Sequence, residues 1–406
     1  MKFIHTADWH IGKSLHKQDL QDQLSLFFSW LLETIKTESI DVLLVSGDIF
    51  DLANPSAADR KMYYDFLTRL LGQKIQIIIT GGNHDSVGLL NAPKEILKEL
   101  NITVIGGATE ELSDEIIEIK NKDGKPECIV AAVPFLRDKD LRNRETDEKY
   151  KNRTEAIRSG IQSHYEDLAQ LIQKKYPNIP TIAMGHMYAI GSDPTDSERD
   201  IHVGNAAAID SKSISNSFDY FALGHIHRPQ VIGKNPYVRY SGSPIALSFS
   251  EIRDDKSIII LSLENNVFVE PEVVSIPKER ELKKFKGDLE SIKEKLVEYK
   301  PSYTLPSFVE LEIVEPIKNT AILSAVEELK LLYQDSNDFI VLKARTQFLE
   351  GAKDTADLFQ EGQHIEDLTP LDVFEKRLSI ETIVDDQRGA LKELFLELLE
   401  TVEQSE

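Results

Sequence analysis

Five short strings in this 406-residue chain carry oxygen and imidazole donors suited to divalent cations: Asp8-Trp9-His10, Gly47-Asp48, Gly82-Asn83-His84-Asp85, Gly185-His186 and Gly224-His225-Ile226-His227. One Asp-x-His or Gly-His string is ordinarily incidental, but five of them, each directly after an apolar run, point to one site. Two divalent ions about 3.5–4 Å apart can clamp the attacking and leaving oxygens of a phosphoryl group, and coordination lowers the pKa of a bound water toward ~7. Such a pair needs a bridging carboxylate, and Asp48 is the natural candidate. Asp8 and His10, two apart, can project from one extended segment toward one ion. Asn83 offers a neutral carbonyl oxygen, which limits the negative charge facing an anionic ester. His186, His225 and His227 complete the shells, the last two at a spacing that lets them serve adjacent ions. His84 adjoins Asn83 but points another way. It is expected to meet substrate rather than metal, as general acid or as stabiliser of charge on the leaving oxygen, with Asp85 a candidate to orient it.

The elements that must position these residues alternate between strand and helix. Phe3–Thr6, Val42–Val45 and Ile75–Ile79 read as strands, and Thr181–Met184, Phe218–Leu223, Val238–Tyr240 and Ser257–Leu263 continue the pattern. Leu20, Leu24, Phe27, Leu31 and Ile35 recur at helical spacing, and a second helix is expected over Ser56–Leu71. This predicts an α/β core with its site beyond the carboxyl ends of strands. The composition shifts near Pro277. Glu281–Tyr299 reads as a lysine-rich helix, followed by a β-α-β pattern at Phe308–Val314, Ala321–Leu332 and Phe339–Ala344. The expected division is a catalytic domain over 1–276, a small domain over 277–345, a linker over 346–368 and two helices over 369–406. The last helix carries an apolar stripe (Leu391, Leu394, Phe395, Leu398, Leu399, Val402) that suits docking to a partner.

Bulk composition sets bounds. Hydrophobic content of 41% and charge of 29% describe a globular chain too long for one ordinary core. No apolar run approaches a membrane span. The opening MKFIHTADWH places His and Asp where an export signal needs apolar residues, and the single cysteine, Cys128, excludes an internal disulfide; a cytoplasmic protein is expected. The net charge of −22 opposes a broad basic DNA-binding face, although cations held by carboxylates would make the site itself locally positive.

At the five strings the chain resembles the calcineurin-like metallophosphoesterases. Ala222–Arg228 (ALGHIHR), Tyr240–Pro244 (YSGSP) and the SGDIFD run at Ser46–Asp51 narrow the resemblance to the SbcD family of nucleases, which process DNA ends and hairpins. The resemblance implies a β-sandwich core flanked by helices, a small α+β capping domain and partner-docking C-terminal helices. It implies one manganese ion on Asp8, His10, Asp48 and His227, another on Asp48, Asn83, His186 and His225, and His84 as the catalytic histidine. Archaeal and eukaryotic relatives carry histidine where this chain has Asp51. The family works on DNA as a homodimer within a heterotetramer, with an SbcC-like coiled-coil ATPase. No GxxxxGK[ST] string occurs here, so that ATPase would be a separate chain.

Two other functions are weighed against DNA cleavage. A phosphatase or nucleotidase would use the same metal chemistry on a monoester, and a scaffold could keep the fold without activity. The second domain and docking helices argue against the first, and an intact donor set against the second. Of the remaining histidines, His5 is expected in the sheet core, and His16, His164, His202 and His364 on the surface or in loops. Ser241 and Ser243 lack a nucleophile elbow. The mixed charges of Arg137–Arg158 read as a solvated loop and helix.

Overall fold

The computed structural model describes residues 1–142, 153–199, 201, 210, 217–334 and 336–349, with isolated positions after 370. Strands are numbered β1 to β18 in chain order. The central ones are β1 (Lys2–Thr6), β4 (Val42–Ser46), β5 (Gln76–Thr80), β6 (Ile102–Ile105), β7 (Ile116–Lys120), β8 (Pro126–Ala132), β9 (Thr181–His186), β10 (Tyr220–Gly224), β11 (Gln230–Ile232), β12 (Asn235–Tyr240), β13 (Ser257–Glu264), β14 (Val267–Phe268) and β15 (Glu272–Ser275). A seven-stranded sheet has the order β14-β13-β1-β4-β5-β6, with β15 also on β13. A six-stranded sheet has the order β11-β12-β10-β9-β8-β7. A small hairpin of β2 (Ser14–Leu15) and β3 (Gln18–Asp19) follows the first loop.

Alternation along the strands explains why the sheets stack. In β4, Val42 and Leu44 face one way and join Phe3, Ile78, Val130, Ile182, Met184 and Ala222 in a core between the two sheets. Leu43 and Val45 face the other way, against Leu24, Phe27 and Leu31 of the helix Gln21–Thr37 and Phe66 of the helix Ala57–Leu70. The outer face of the second sheet is covered by the helix Arg153–Lys175 through Ile157, Ile161, Tyr165, Leu168 and Ile172. The result is the expected α/β sandwich flanked by helices. Ser56 caps the helix Ala57–Leu70 in a reciprocal capping box with Asp59, which sets that helix's first turn.

Contacts divide the described chain into two units. The first comprises Met1–Phe285, Lys295–Leu311 and Glu328–Ala344; the second comprises Lys286–Glu294, Glu312–Glu327 and described residues from Arg345 onward. A three-stranded sheet has the order β16 (Leu282–Gly287), β17 (Ser307–Glu315), β18 (Phe339–Phe348). The expected helix over Glu281–Tyr299 is therefore corrected. Its first part is strand β16, where Leu282 is buried and exposure alternates along the chain, and only Leu289–Glu298 is helical. His164 is also corrected: it lies buried on a helix, its Nε2 2.7 Å from Glu115 Oε2. His5 is a satisfied core residue, bonded to Tyr220 Oη at 2.9 Å and to the Leu223 carbonyl at 3.2 Å. His16 lies exposed in the small hairpin turn. Strand β18 runs on to Phe348, past the start of the linker expected over 346–368; the rest of that linker from 350, His202, His364 and most of the C-terminal helices, including Thr369, Leu398, Leu399 and Val402, lie outside the described residues.

The two sheets approach each other closely at their carboxyl ends. A Cβ on Gly224 would lie 1.8 Å from the Ser46 carbonyl oxygen, so only glycine lets β10 end against β4. Gly224→Ala should therefore destabilise the fold by about 1–3 kcal/mol or more, the range for overpacking. Urea unfolding in chelator would check it, with Gly72→Ala as the control because nothing lies within 4 Å of that added Cβ. Equal midpoints for the two variants would contradict the close approach.

Candidate metal centre

Each of the five strings sits at the carboxyl end of a strand. Asp8 and His10 follow β1, Asp48 follows β4, Asn83 and His84 follow β5, His186 ends β9, and His225 and His227 follow β10. Both sheets thus feed one site. The first two loops are laced together by their backbones: Asp8 N donates to the Gly47 carbonyl (3.1 Å), His10 N to the Asp48 carbonyl (3.0 Å) and Ile11 N to the Ile49 carbonyl (3.0 Å). Trp9, between the two donors, is fully buried against Phe28 and Phe66. Its indole anchors the loop that presents Asp8 and His10.

That loop geometry is strained. Asp8, His10, Asp48 and His225 all take positive φ (53°, 46°, 49° and 99°), a region that L-residues with side chains seldom occupy. Strain of this kind persists only where the surroundings impose it, and it clusters at functional sites. Gly47 precedes Asp48 at φ 84°, and a Cβ there would strike His186 Nδ1 at 2.1 Å.

The donors converge on Asp48. Its Oδ1 accepts from His84 N at 2.9 Å, while Oδ2 lies 3.3 Å from His186 Nε2, 3.5 Å from His10 Nε2 and 3.9 Å from His84 Nε2. Three sets have donor atoms close enough to share a cation: Asp8–His10–His227, Asp48–His186–His225 and His10–Asp48–His84. Asp48 joins the first two: it belongs to the second, and its Oδ2 also faces His10 of the first. Asn83 Oδ1 lies 2.9 Å from His186 Nε2 and 3.2 Å from His225 Nδ1, which adds it to the second set. The structure therefore brings together all seven residues expected as ligands, with His84 beside them.

Most of the imidazoles are held from behind, which selects the nitrogen turned to the site. His10 Nδ1 meets Asp51 Oδ1 at 3.2 Å, and that carboxylate also accepts from Lys13 at 3.2 Å. His186 Nδ1 donates to the Ser46 carbonyl at 3.0 Å, and His84 Nδ1 to the Asp51 carbonyl at 2.7 Å. Asp85 is not the group that orients the His84 ring. Its carboxylate accepts from the amides of Gly82, Ile49 and Phe50 (2.8, 3.0 and 3.0 Å) and so ties the Asp48 loop to the Asn83 loop.

Nothing in the local sequence marks the group behind His227. His227 Nδ1 lies 2.5 Å from Ser197 Oγ, which donates to Glu251 Oε1 at 2.6 Å. Glu251 is paired with Lys256, whose ammonium also donates to the His227 carbonyl and to Ser243 Oγ, both at 2.9 Å. Glu198 accepts from His227 N at 2.7 Å. None of Ser197, Glu198, Glu251 or Lys256 stands in a recognisable motif. Ser243 is thereby a buried packing and hydrogen-bonding residue.

The electrostatics fit divalent cations. Burial alone would push the Asp48 carboxyl up, but His186, His10 and His84 outweigh it and hold the group well below the usual carboxylate range. Asp8 goes the other way, pushed up to about 7 by burial and by Asp48, against the pull of His186. Burial disfavours the charged form of His186, yet Asp48 and Asp8 raise it to about 9. Burial and the neighbouring imidazoles push His225 down to about 3, and its Nε2 is buried without a hydrogen-bond partner. His10 and His227 face each other through their Nε2 atoms at 3.1 Å. Two imidazoles meeting nitrogen to nitrogen, an orphaned ring nitrogen and carboxylates that cannot all ionise together form a donor set short of positive charge. Divalent ions supply it.

Comparison with known proteins agrees with this geometry. Residues 1–229 match the family model described as calcineurin-like phosphoesterase. The chain is 31% identical over 407 residues to the SbcD component of the SbcCD nuclease of Escherichia coli K12, covering 99% of this chain and 98% of that one. It is 33% identical over 271 residues to the protein of the same name from Bacillus subtilis, covering 64% of this chain and 66% of that one. The fold and site define a phosphoesterase, a hydrolase of phosphodiester bonds that uses divalent metal. Within that class the chain belongs to the SbcD family of nucleases.

Two substitutions separate the roles around Asp48. Asp48→Asn should abolish turnover and weaken both ions by more than the roughly 10–100-fold typical of an outer partner. Titration calorimetry with manganese would measure this, and two tightly held ions in the variant would contradict it. His84→Ala should retain both ions while the rate falls about 10²–10⁴-fold, as for loss of a general acid or base. Metal analysis after dialysis is the check, since loss of an ion would make His84 a ligand.

Proposed function

We propose that this chain is a manganese-dependent DNA nuclease, an exonuclease on duplex ends and an endonuclease on hairpins or single strands. In this proposal it works in repair, recombination and replication as the nuclease component of an SbcCD-type complex. The observation that carries the proposal is the convergence of Asp8, His10, Asn83, His186, His225 and His227 around buried Asp48, with His84 alongside, in a family whose full-length relative is named a nuclease. Asp8, His10, Asp48 and His227 would hold one ion, and Asp48, Asn83, His186 and His225 the other. When bound, two such ions supply Lewis acidity at the phosphoryl oxygens and a water whose pKa is lowered toward ~7.

The chain's own residues do the remainder. Asp48 keeps its carboxylate ionised between the two donor sets. Asp51, Ser46 and Ser197 fix the rings of His10, His186 and His227 from behind. Because His84 Nδ1 donates to the Asp51 carbonyl, Nε2 is the atom turned toward Asp48, and a proton carried there can pass to the departing oxygen. Water is added across the P–O bond, giving a phosphate monoester and an alcohol.

The partner in this proposal is a coiled-coil ATPase of the SbcC type, met by the helices over 369–406, with the chain as a homodimer in a heterotetramer. Residues 277–345 would form the capping domain. Among the described residues no helix is long and apolar enough to cross a membrane. A DNA substrate and a free, buried Cys128 fit the cytoplasm.

Turnover of bis-p-nitrophenyl phosphate, p-nitrophenyl phosphate, linear duplex and hairpin DNA should be compared with manganese, and with and without the ATPase and ATP. Expected are diester and DNA cleavage that chelator abolishes, and duplex-end cleavage that rises with the partner and ATP. Preference for the monoester with DNA left intact would favour a phosphatase or nucleotidase instead.

A further inference from the structure

Glu251 is not in the donor set, yet its buried carboxylate is the hub of the support behind His227. Its Oε1 accepts from Ser197 Oγ at 2.6 Å and from Ser248 Oγ at 3.2 Å. Its Oε2 accepts from Lys256 Nζ at 2.5 Å and from the Leu247 amide at 3.3 Å. Ser197 Oγ in turn lies 2.5 Å from His227 Nδ1. A single hydroxyl therefore bridges a carboxylate to the ring of a proposed metal ligand.

The chemistry of that bridge fixes where its hydrogens lie. A carboxylate paired with an ammonium ion only accepts, and a serine hydroxyl has one hydrogen to give. Three acceptors surround Ser197 Oγ: Glu251 Oε1, His227 Nδ1 and, at 2.8 Å, Thr195 Oγ1. The charged acceptor makes the strongest bond. Were the hydrogen aimed elsewhere, two oxygen acceptors would face each other at 2.6 Å in a buried setting, with the desolvation penalty of unmet groups. Ser197 Oγ therefore donates to Glu251 and accepts from His227 Nδ1. A neutral imidazole with its hydrogen on Nδ1 keeps the Nε2 lone pair free for a cation. That Nε2 faces His10 Nε2 at 3.1 Å, and His10 Nδ1 meets Asp51 Oδ1 at 3.2 Å. Both imidazoles of the Asp8–His10–His227 set are thus backed by a carboxylate, one directly and one through a hydroxyl.

We propose that Glu251 is a positioning residue that selects, through Ser197, the ring nitrogen with which His227 holds an ion. The relay rests on His227 being a ligand, as proposed above. Lys256 makes the arrangement reversible by one isosteric change. In Glu251→Gln the ammonium still needs an oxygen acceptor, so the amide turns its oxygen to Lys256 and its NH2 to Ser197. Ser197 Oγ then accepts from that amide and gives its own hydrogen to His227 Nδ1. The ring hydrogen moves to Nε2, which no longer offers a lone pair to the site.

The test titrates manganese calorimetrically into wild type, Glu251→Gln, Ser197→Ala, Ser197→Thr and His227→Ala. Nitrogen NMR of the metal-free, histidine-labelled protein reads the His227 tautomer. Glu251→Gln should weaken one of the two ions about 10–100-fold, the scale for loss of an outer partner. The His227 signals should change from the Nδ1–H to the Nε2–H pattern in the same variant. Ser197→Ala should weaken the same ion, and Ser197→Thr, which keeps the hydroxyl, should restore it. If Glu251→Gln does not fold, the two Ser197 variants decide, and wild-type affinity in Ser197→Ala overturns the relay. If His227→Ala loses an ion while Glu251→Gln keeps both ions and the Nδ1–H tautomer, the relay is overturned and the ligand assignment stands. If His227→Ala holds both ions as tightly as wild type, the ligand assignment and the relay fall together.

Discussion

Asp48 is almost wholly withdrawn from water, and an isolated carboxylate in that position would carry a large desolvation cost. It stays ionised because His84 N fixes one oxygen while imidazoles from both sheets surround the other. The rest of the site follows from that requirement. Burial, and then the neighbouring Asp48, push the Asp8 carboxyl up to about 7, and Asp48 and Asp8 in turn raise His186. A buried charge is stabilising only when its partners are well placed and their remaining hydrogen bonds are met. Here protons on His186 and His10 give part of the compensation that divalent ions would complete.

Holding those partners requires the sandwich. Asp48 comes from the seven-stranded sheet and His186 and His225 from the six-stranded one, so the donor set exists only when the two sheets stack in register. Gly224 and Gly47 permit that contact, and the inter-sheet core of Phe3, Leu44, Ile78, Val130, Met184 and Ala222 maintains it. The four positive φ angles at Asp8, His10, Asp48 and His225 are the local consequence of aiming short loops from separate strands at one point. Packing of Trp9 and the three amides on Asp85 hold the loops in that conformation.

How much of this could be read in advance depended on distance along the chain. Apolar strands followed at once by Asp, Asn or His are a local pattern, so the strand ends and the eight clustered residues were legible together. The nearly unbroken apolar runs at Val42–Val45 and Ile75–Ile79 were legible as strands, and both are buried on both faces. The support behind the site was not. Ser197 and Lys256 reach His227 from 30 and 29 residues away, Glu251 meets Ser197 across 54, and nothing in their own neighbourhoods marks them. Asp85 adjoins His84 in sequence, yet its oxygens serve the backbone of the Asp48 loop, because the chain turns between them. His164 looked like a surface residue until its partner Glu115, 49 residues away, was placed beside it. Leu282–Phe285 was hidden by Lys283 and Lys284, which interrupt any apolar run in that strand.

The central claim is that Asp48 lies between two cation sites built from opposite sheets. Anomalous diffraction from crystals soaked in manganese tests it most directly. Two peaks about 3.5–4 Å apart are expected, with an Asp48 oxygen between them, Asp8, His10 and His227 around one and Asn83, His186 and His225 around the other. A single peak, or a pair that Asp48 does not bridge, would contradict the account.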